Sequence, residues 1–168
     1  GSEMCIRDRP YRVPEAGELP GRLPSVLEVV CLVFNAGYAA HEGEALVRSD
    51  LCDEALGLGH MLAATFREDA EVQGLFALME LQAARAESRV DEDGELVLLE
   101  DQDRMRWDRV RIERASRRLE RAEAAAAGLG RGPYLLQAAI AGCHAVADST
   151  DTTDWTRCLL YTSDAADE

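Results

Sequence analysis

Few residues of this chain have chemical reach. Cys143 stands next to His144, and a thiol beside an imidazole makes a nucleophile and its base when the ring can reach the sulfur. A small thiol on an Ala-rich face, as here, is more often a packing group. His60 sits alone in an apolar helical pattern, and His41 in a polar turn. Asp91 to Glu100 suggests calcium. With Gly94 as the sixth residue of a loop, Asp91 and Asp93 fall third and fifth and Glu100 twelfth, placing carboxylate oxygens around a sharp glycine turn. Arg89 then takes the first position, a cation where the first ligand belongs. The preferred reading is a solvated acidic turn followed by a capped helix. No phosphate-cradling glycine loop and no zinc spacing occurs, so neither metal nor cofactor nor catalysis is expected.

Charge narrows the partners. The 168 residues carry 32 Asp+Glu against 18 Lys+Arg, a formal net charge of −14. The two ends look foreign. Met4 to Asp8 can be encoded by a short DNA whose reverse complement, shifted by one base, reads Cys158 to Thr162. That DNA resembles a transposase sequencing adapter. The expected organisation is a foreign end over 1–9, a linker over 10–23, a helical domain over 24–157 and a second foreign end over 158–168. The ends are expected to stay outside the core. Without them the charge is −11. Such a domain repels phosphate, so direct binding to nucleic acid or an anionic membrane is not expected. The arginines of 104–121 alternate with Asp108, Glu113 and Glu120 and read as an ion-paired helix face. Cys31, Cys52 and Cys143 lack paired spacing and fit a reducing, cytoplasmic compartment. No apolar run reaches the roughly 20 residues that span a bilayer.

The elements that would position these residues read as helices. Pro24 opens a nearly all-round apolar helix that Gly37 would stop. A second runs from Ser49 to about Phe66, with Gly57 and Gly59 either weakening it or admitting a close neighbour. Asp69 caps a third, with Val72, Leu75, Phe76, Leu78, Met79 and Leu81 facing the core. A fourth is expected from Gln102 to Ala127, closed by Gly128 and Gly130. Pro133 opens a fifth, and Thr153 or Asp154 caps a sixth, cut short after Arg157. The fold class is all-α, an array of antiparallel helix hairpins.

Six blocks in order carry a resemblance. They are Phe34-Asn35-Ala36-Gly37-Tyr38, Asp50 to Ala55, Glu71 to Met79, Asp93-Gly94 through Gln102-Asp103-Arg104 to Trp107, Gly132-Pro133-Tyr134 through Gln137 to Ala141, and Thr153-Asp154-Trp155. Together this set resembles the C-terminal helical, tetratricopeptide-like extension of bacterial extracytoplasmic-function sigma factors. Ala36 and the Gly57 to His60 segment depart from the family's usual residues. The resemblance implies a regulatory or protein-interaction domain acting in transcription initiation. Its partners would be the sigma-factor core regions and RNA polymerase, and it would not initiate alone. The alternative is a helical ligand-binding or enzymatic domain with a pocket near His60, Cys143 or His144.

One contact is expected from local chemistry. Gln102, Asp103 and Arg104 would clamp the acidic connection against the end of the first helix, near Asn35 and Tyr38, since Arg104 donates several bonds in one plane. Against this stands the simpler expectation that Asp103 caps its own helix and Arg104 points to water.

Overall fold

Apolar residues at helical spacing become six helices packed against one another. The computed structural model describes residues 12–39, 49–93 and 95–166. The helices are α1 (Leu19–Ala39), α2 (Ser49–Thr65), α3 (Ala70–Ala83), α4 (Arg109–Ala125), α5 (Pro133–Val146) and α6 (Trp155–Ala166). Consecutive helices pair, α1 with α2, α3 with α4 and α5 with α6, and the most extensive contact sets α3 against α5. Among the described residues there is no strand, only an isolated antiparallel bridge between Val90 and Leu96.

The centre of the array is α3. Every residue from Val72 to Leu81 is buried, because α1, α2, α4 and α5 all touch this helix. Its start matches expectation: the Asp69 carboxylate accepts the Val72 N–H at 3.0 Å. Gly74 sets the α3–α5 distance. A Cβ there would lie 2.8 Å from both the backbone nitrogen and the Cα of Leu135, so only hydrogen fits.

Three helices have bounds that differ from the sequence reading. The first helix begins at Leu19, inside the expected linker, after a 3-10 turn over Ala16–Glu18 in which Glu15 and Glu18 form a reciprocal capping box. Pro24 is therefore interior, and Gly37 lies within the helix instead of ending it. The earlier start has a packing reason. Leu23, Leu27, Val30, Phe34 and Tyr38 make one buried stripe against α2 and α3, and Leu23 belongs to it. Counted from Ala16 to Tyr38, this helical stretch is long and apolar enough to cross a membrane by length and composition, which corrects the statement that no such run exists. The stripe is nonetheless part of the helical core.

The fourth helix starts at Arg109, capped by the Asp108 carboxylate on the Arg111 N–H at 2.9 Å, and not near Gln102. Trp107 is extended at ψ 140°, which breaks the chain direction just before it. Asp103 caps only a 3-10 turn, Arg104–Arg106, through the Met105 N–H at 2.9 Å. The sixth helix is not cut short at Arg157. Asp154 caps it as expected, accepting the Arg157 N–H at 2.9 Å, and it continues to Ala166. Cys158 and Tyr161, three residues apart on one helical face, are buried in the core shared with α4 and α5. The Tyr161 hydroxyl donates to Glu123 of α4 at 2.6 Å. The expectation that the second end stays outside the core is thereby corrected at Cys158 and Tyr161, while residues 1–9 and 167–168 lie outside the described residues.

Two glycine substitutions separate close packing from mere helix propensity. Gly74→Ala is expected to destabilise the fold by about 1–3 kcal/mol, because the Leu135 backbone must shift. Gly57→Ala meets nothing within 4 Å and is expected to stabilise α2 by roughly 0.5–1 kcal/mol. Urea unfolding of the two variants beside the parent chain reads both signs.

Candidate functional site

A helix leaves its last carbonyls without intrahelical partners. In this fold, side chains from distant segments supply the donors. Arg89 donates to the Tyr38 carbonyl at the end of α1, and its guanidinium lies 4.0 Å from the centre of the Tyr38 ring. Gln73 of α3 donates through one amide nitrogen to the Ala63 and Phe66 carbonyls at the end of α2, at 2.8 and 3.0 Å. Arg104 donates to the His144 and Ala147 carbonyls at the end of α5, at 2.6 and 2.8 Å. The opposite end of α5 is held by Glu71, whose two carboxylate oxygens accept the Tyr134 and Leu135 N–H groups at 3.0 and 2.9 Å. A carboxylate there also meets the positive end of the helix dipole. All 18 basic residues of the chain are arginine, the side chain whose planar fork suits paired carbonyls and aromatic faces.

The expected clamp is therefore corrected in its partner. Arg104 is buried, lies 4.7 Å from the Trp107 ring centre and reaches α5, not Asn35 or Tyr38. Tyr38 is held instead by Arg89. Asn35 is exposed and donates to Cys31 Sγ in its own helix, at 3.5 Å. Gln102 is buried and donates to the Val97 carbonyl at 3.0 Å, which folds the connection onto itself. The Trp107 indole N–H donates to the Ser88 hydroxyl at 2.7 Å.

The acidic loop is organised by its own backbone. One Asp91 carboxylate oxygen accepts the Asp93 and Glu95 N–H groups at 3.0 and 2.8 Å. Gly94 lies outside the described residues, and Asp93 is exposed. Arg89, in the first position of the calcium reading, is turned toward α1. Among the described residues, no group of three or more His, Cys, Asp or Glu is placed to hold a metal ion.

Phe34 is buried and stacks on Tyr38 at 5.5 Å, and Gly37 is buried beside them. Tyr134 is half-buried at the start of α5, and Gln137 is exposed one turn further on. Trp155 is half-exposed, donates to the Thr150 carbonyl at 3.1 Å and meets His144 edge-on at 5.3 Å. His60 meets Phe76 edge-on at 5.8 Å. Cys143 and His144 do not converge. Cys143 sits in the apolar core, where burial and then the neighbouring Cys158 push its thiol up to about 12. The His144 ring lies by Trp155 with its Nε2 4.0 Å from Cys158 Sγ; burial, then the charges of Arg104 and Arg85, lowers its pKa. His41 lies outside the described residues.

Sequence reasoning missed the polar centre of α3. Glu80 is 1% exposed and accepts from Arg114 Nε at 2.6 Å. Arg118 Nε lies 3.5 Å from its other oxygen, an ionic contact without hydrogen-bond geometry. Arg118 also donates to Gln73 at 2.6 Å and covers the Phe76 ring at 4.5 Å. The available signal was Gln73 and Glu80 standing in an otherwise apolar run.

Clefts of about 360 and 340 Å³ lie beside His60 and Cys143, and two further clefts stand out as candidate sites. One, of about 780 Å³, lies between α1 and α2 and is lined by Val26, Val29, Met61 and Phe66 among others. The other, of about 280 Å³, lies between α3 and α5 under Leu99 and Trp107.

Fold and sites together define a helical-hairpin domain whose polar residues join its helices and whose clefts face outward. The chain belongs to the family of unknown function DUF6596, whose profile matches residues 22–123. It is also 43% identical over 153 residues to an uncharacterized protein of Rhizobium meliloti (strain 1021), an alignment covering 90% of this chain and 36% of that relative. The chain thus spans about a third of this longer bacterial relative. No solved structure matches it.

Arg104→Ala is expected to cost about 2–3 kcal/mol, since two carbonyls lose a charged donor. A double-mutant cycle of Arg104 with Asn35 is expected to show no coupling, and coupling above about 0.5 kcal/mol would restore the α1 clamp. Cys143 is expected to resist alkylation at neutral pH in the folded chain and react on unfolding, because the thiolate is the reactive form. Mass spectrometry after an iodoacetamide pulse reads this directly.

Proposed function

We propose that this chain is the C-terminal helical extension of a bacterial extracytoplasmic-function sigma factor, a regulatory protein-interaction domain in transcription initiation. It acts in the cytoplasm on the sigma-factor core regions of the same protein and, through them, on RNA polymerase. It is neither an enzyme nor an autonomous initiator. The observation that carries the reading is the outer face of the first hairpin. Val29 and Met61 are each 58% exposed, with Val26 and Leu58 beside them, around the large cleft between α1 and α2. A contiguous apolar face on an acidic chain is a docking surface. The first turn of α1 forms its lip through Leu19, Gly21 and Arg22, so chain preceding this domain would enter beside it. The six sequence blocks and the greater length of the Rhizobium relative support the same reading. The separation of Cys143 from the His144 ring, and the protonated thiol, support a role without catalysis.

Calorimetric titration of this chain with the sigma core regions of its parent protein tests the proposal. Binding is expected, and Val29→Glu and Met61→Glu are each expected to weaken it at least about tenfold while helicity and melting are kept. No binding to the core, or binding indifferent to both changes, overturns the reading. Partition of the chain into lipid vesicles through α1, lost in Val29→Glu, would replace it with a membrane role.

A further inference from the structure

The smaller cleft, between α3 and α5, has the chemistry of a binding site. Its floor is aliphatic: Leu78 and Leu81 from α3, Ile140 from α5 and Leu99 from the acidic connection. Polar groups stand along its edge, namely Gln82 and Arg85 on α3 with Gln137 on α5. None of the three is held by a side-chain hydrogen bond or ion pair among the described residues. In a chain with 32 Asp+Glu, no acidic residue among the described ones lines this cleft.

The surroundings add positive potential. Arg85 and Arg109 lie close enough to Arg104 to lower its pKa after burial has done so, and only the exposed Asp148 opposes them. Arg104 is fixed on the α5 carbonyls, so its charge stays beside the cleft. His144, at the same end, has its pKa lowered by burial and then by the charges of Arg104 and Arg85. A negative group placed near Arg85 meets unneutralised cations and neutral amide donors, while an aliphatic tail meets leucine and isoleucine.

We propose that this cleft binds a medium-chain aliphatic carboxylate, with Arg85 taking the carboxylate and Leu78, Leu81 and Ile140 taking the chain. The site is separate from the α1–α2 face, and it stands or falls independently of the sigma-factor reading. Occupancy would link α3, α5 and the 84–108 connection, which all contribute to its walls.

Titration of the isotope-labelled chain with hexanoate, hexanol and hexylamine, followed by amide and indole NMR shifts, tests the assignment. Hexanoate is expected to shift the Trp107 indole and the Arg85, Gln137 and Ile140 amides, and to bind at least about tenfold more tightly than hexylamine. Arg85→Gln is expected to remove the preference for hexanoate over hexanol while leaving the remaining spectrum in place. Ala141→Met, which fills the cleft without touching charge, is expected to weaken hexanoate and hexanol alike. Equal binding of hexanoate and hexylamine, shifts confined to α1 and α2, or a preference unchanged in Arg85→Gln would each overturn the proposal.

Discussion

The burial of α3 on every side is the constraint on which the rest of the structure depends. A helix touched by four others has no solvent face on which to leave a polar group, and an unpaired buried polar group costs several kcal/mol. Yet α3 carries Gln73 and Glu80 within its buried run. Glu80 draws Arg114 and Arg118 from α4, and Arg118 holds Gln73, whose amide closes the end of α2. One charged group thus fixes the rotation of α4 about α3, and through Gln73 the position of α2. Removing one partner from such a network costs far more than the network adds over an apolar core, so its value is in specifying one arrangement.

The same logic runs through the helix ends. Three of these capping contacts join segments far apart in sequence: 51 residues between Arg89 and Tyr38, 43 between Arg104 and Ala147, 64 between Glu71 and Leu135. Local caps stabilise one helix, whereas these also set where a helix stops relative to its neighbours. Arginine suits the task because one guanidinium nitrogen of Arg104 reaches two carbonyls, and the flat faces of Arg89 and Arg104 lie on Tyr38 and Trp107. Besides the blocks in α2 and in the body of α3, four of the six blocks that carry the sigma-factor resemblance lie at such junctions. They are the end of α1, the connection before α4, and the starts of α5 and α6. Their chemistry is that of a scaffold, and the apolar face of the first hairpin and the cleft by Arg85 are the surfaces proposed for recognition.

Much of the local structure was legible in the chain. Helical periodicity, the Asp69 and Asp154 caps, Pro133 at the head of α5 and the all-α class depend on groups within a turn of one another. Such features are written in neighbouring residues and can be read without knowing the packing. Residues 19–23 were misread because Pro20 and Gly21 lower local propensity, while burying Leu23 in the α1 stripe outweighs that cost. The start of α4 was misplaced because Asp101, Asp103 and Asp108 all resemble caps. Only the burial of Trp107 and its bond to Ser88 selects the last.

The sequence by itself determined what each junction residue could do, but not to which helix it would do it. Arg104 was recognisable as a donor of several bonds in one plane, whereas the parts played by Glu71 and Glu80 were not read from the chain. Their targets follow from the close approach of α3 and α5 at Gly74, a distance of interhelical packing that no local pattern encodes. The same packing placed Cys143 in the core and the His144 ring beside Trp155, separating two neighbours in sequence because adjacent helical residues point about 100° apart. It also brought Arg85, Gln137 and Leu99 to the walls of a single cleft from three segments of the chain. Propensity and capping act within a few residues and can be read in order. Burial and electrostatic pairing act across space, and only the assembled helices decide them.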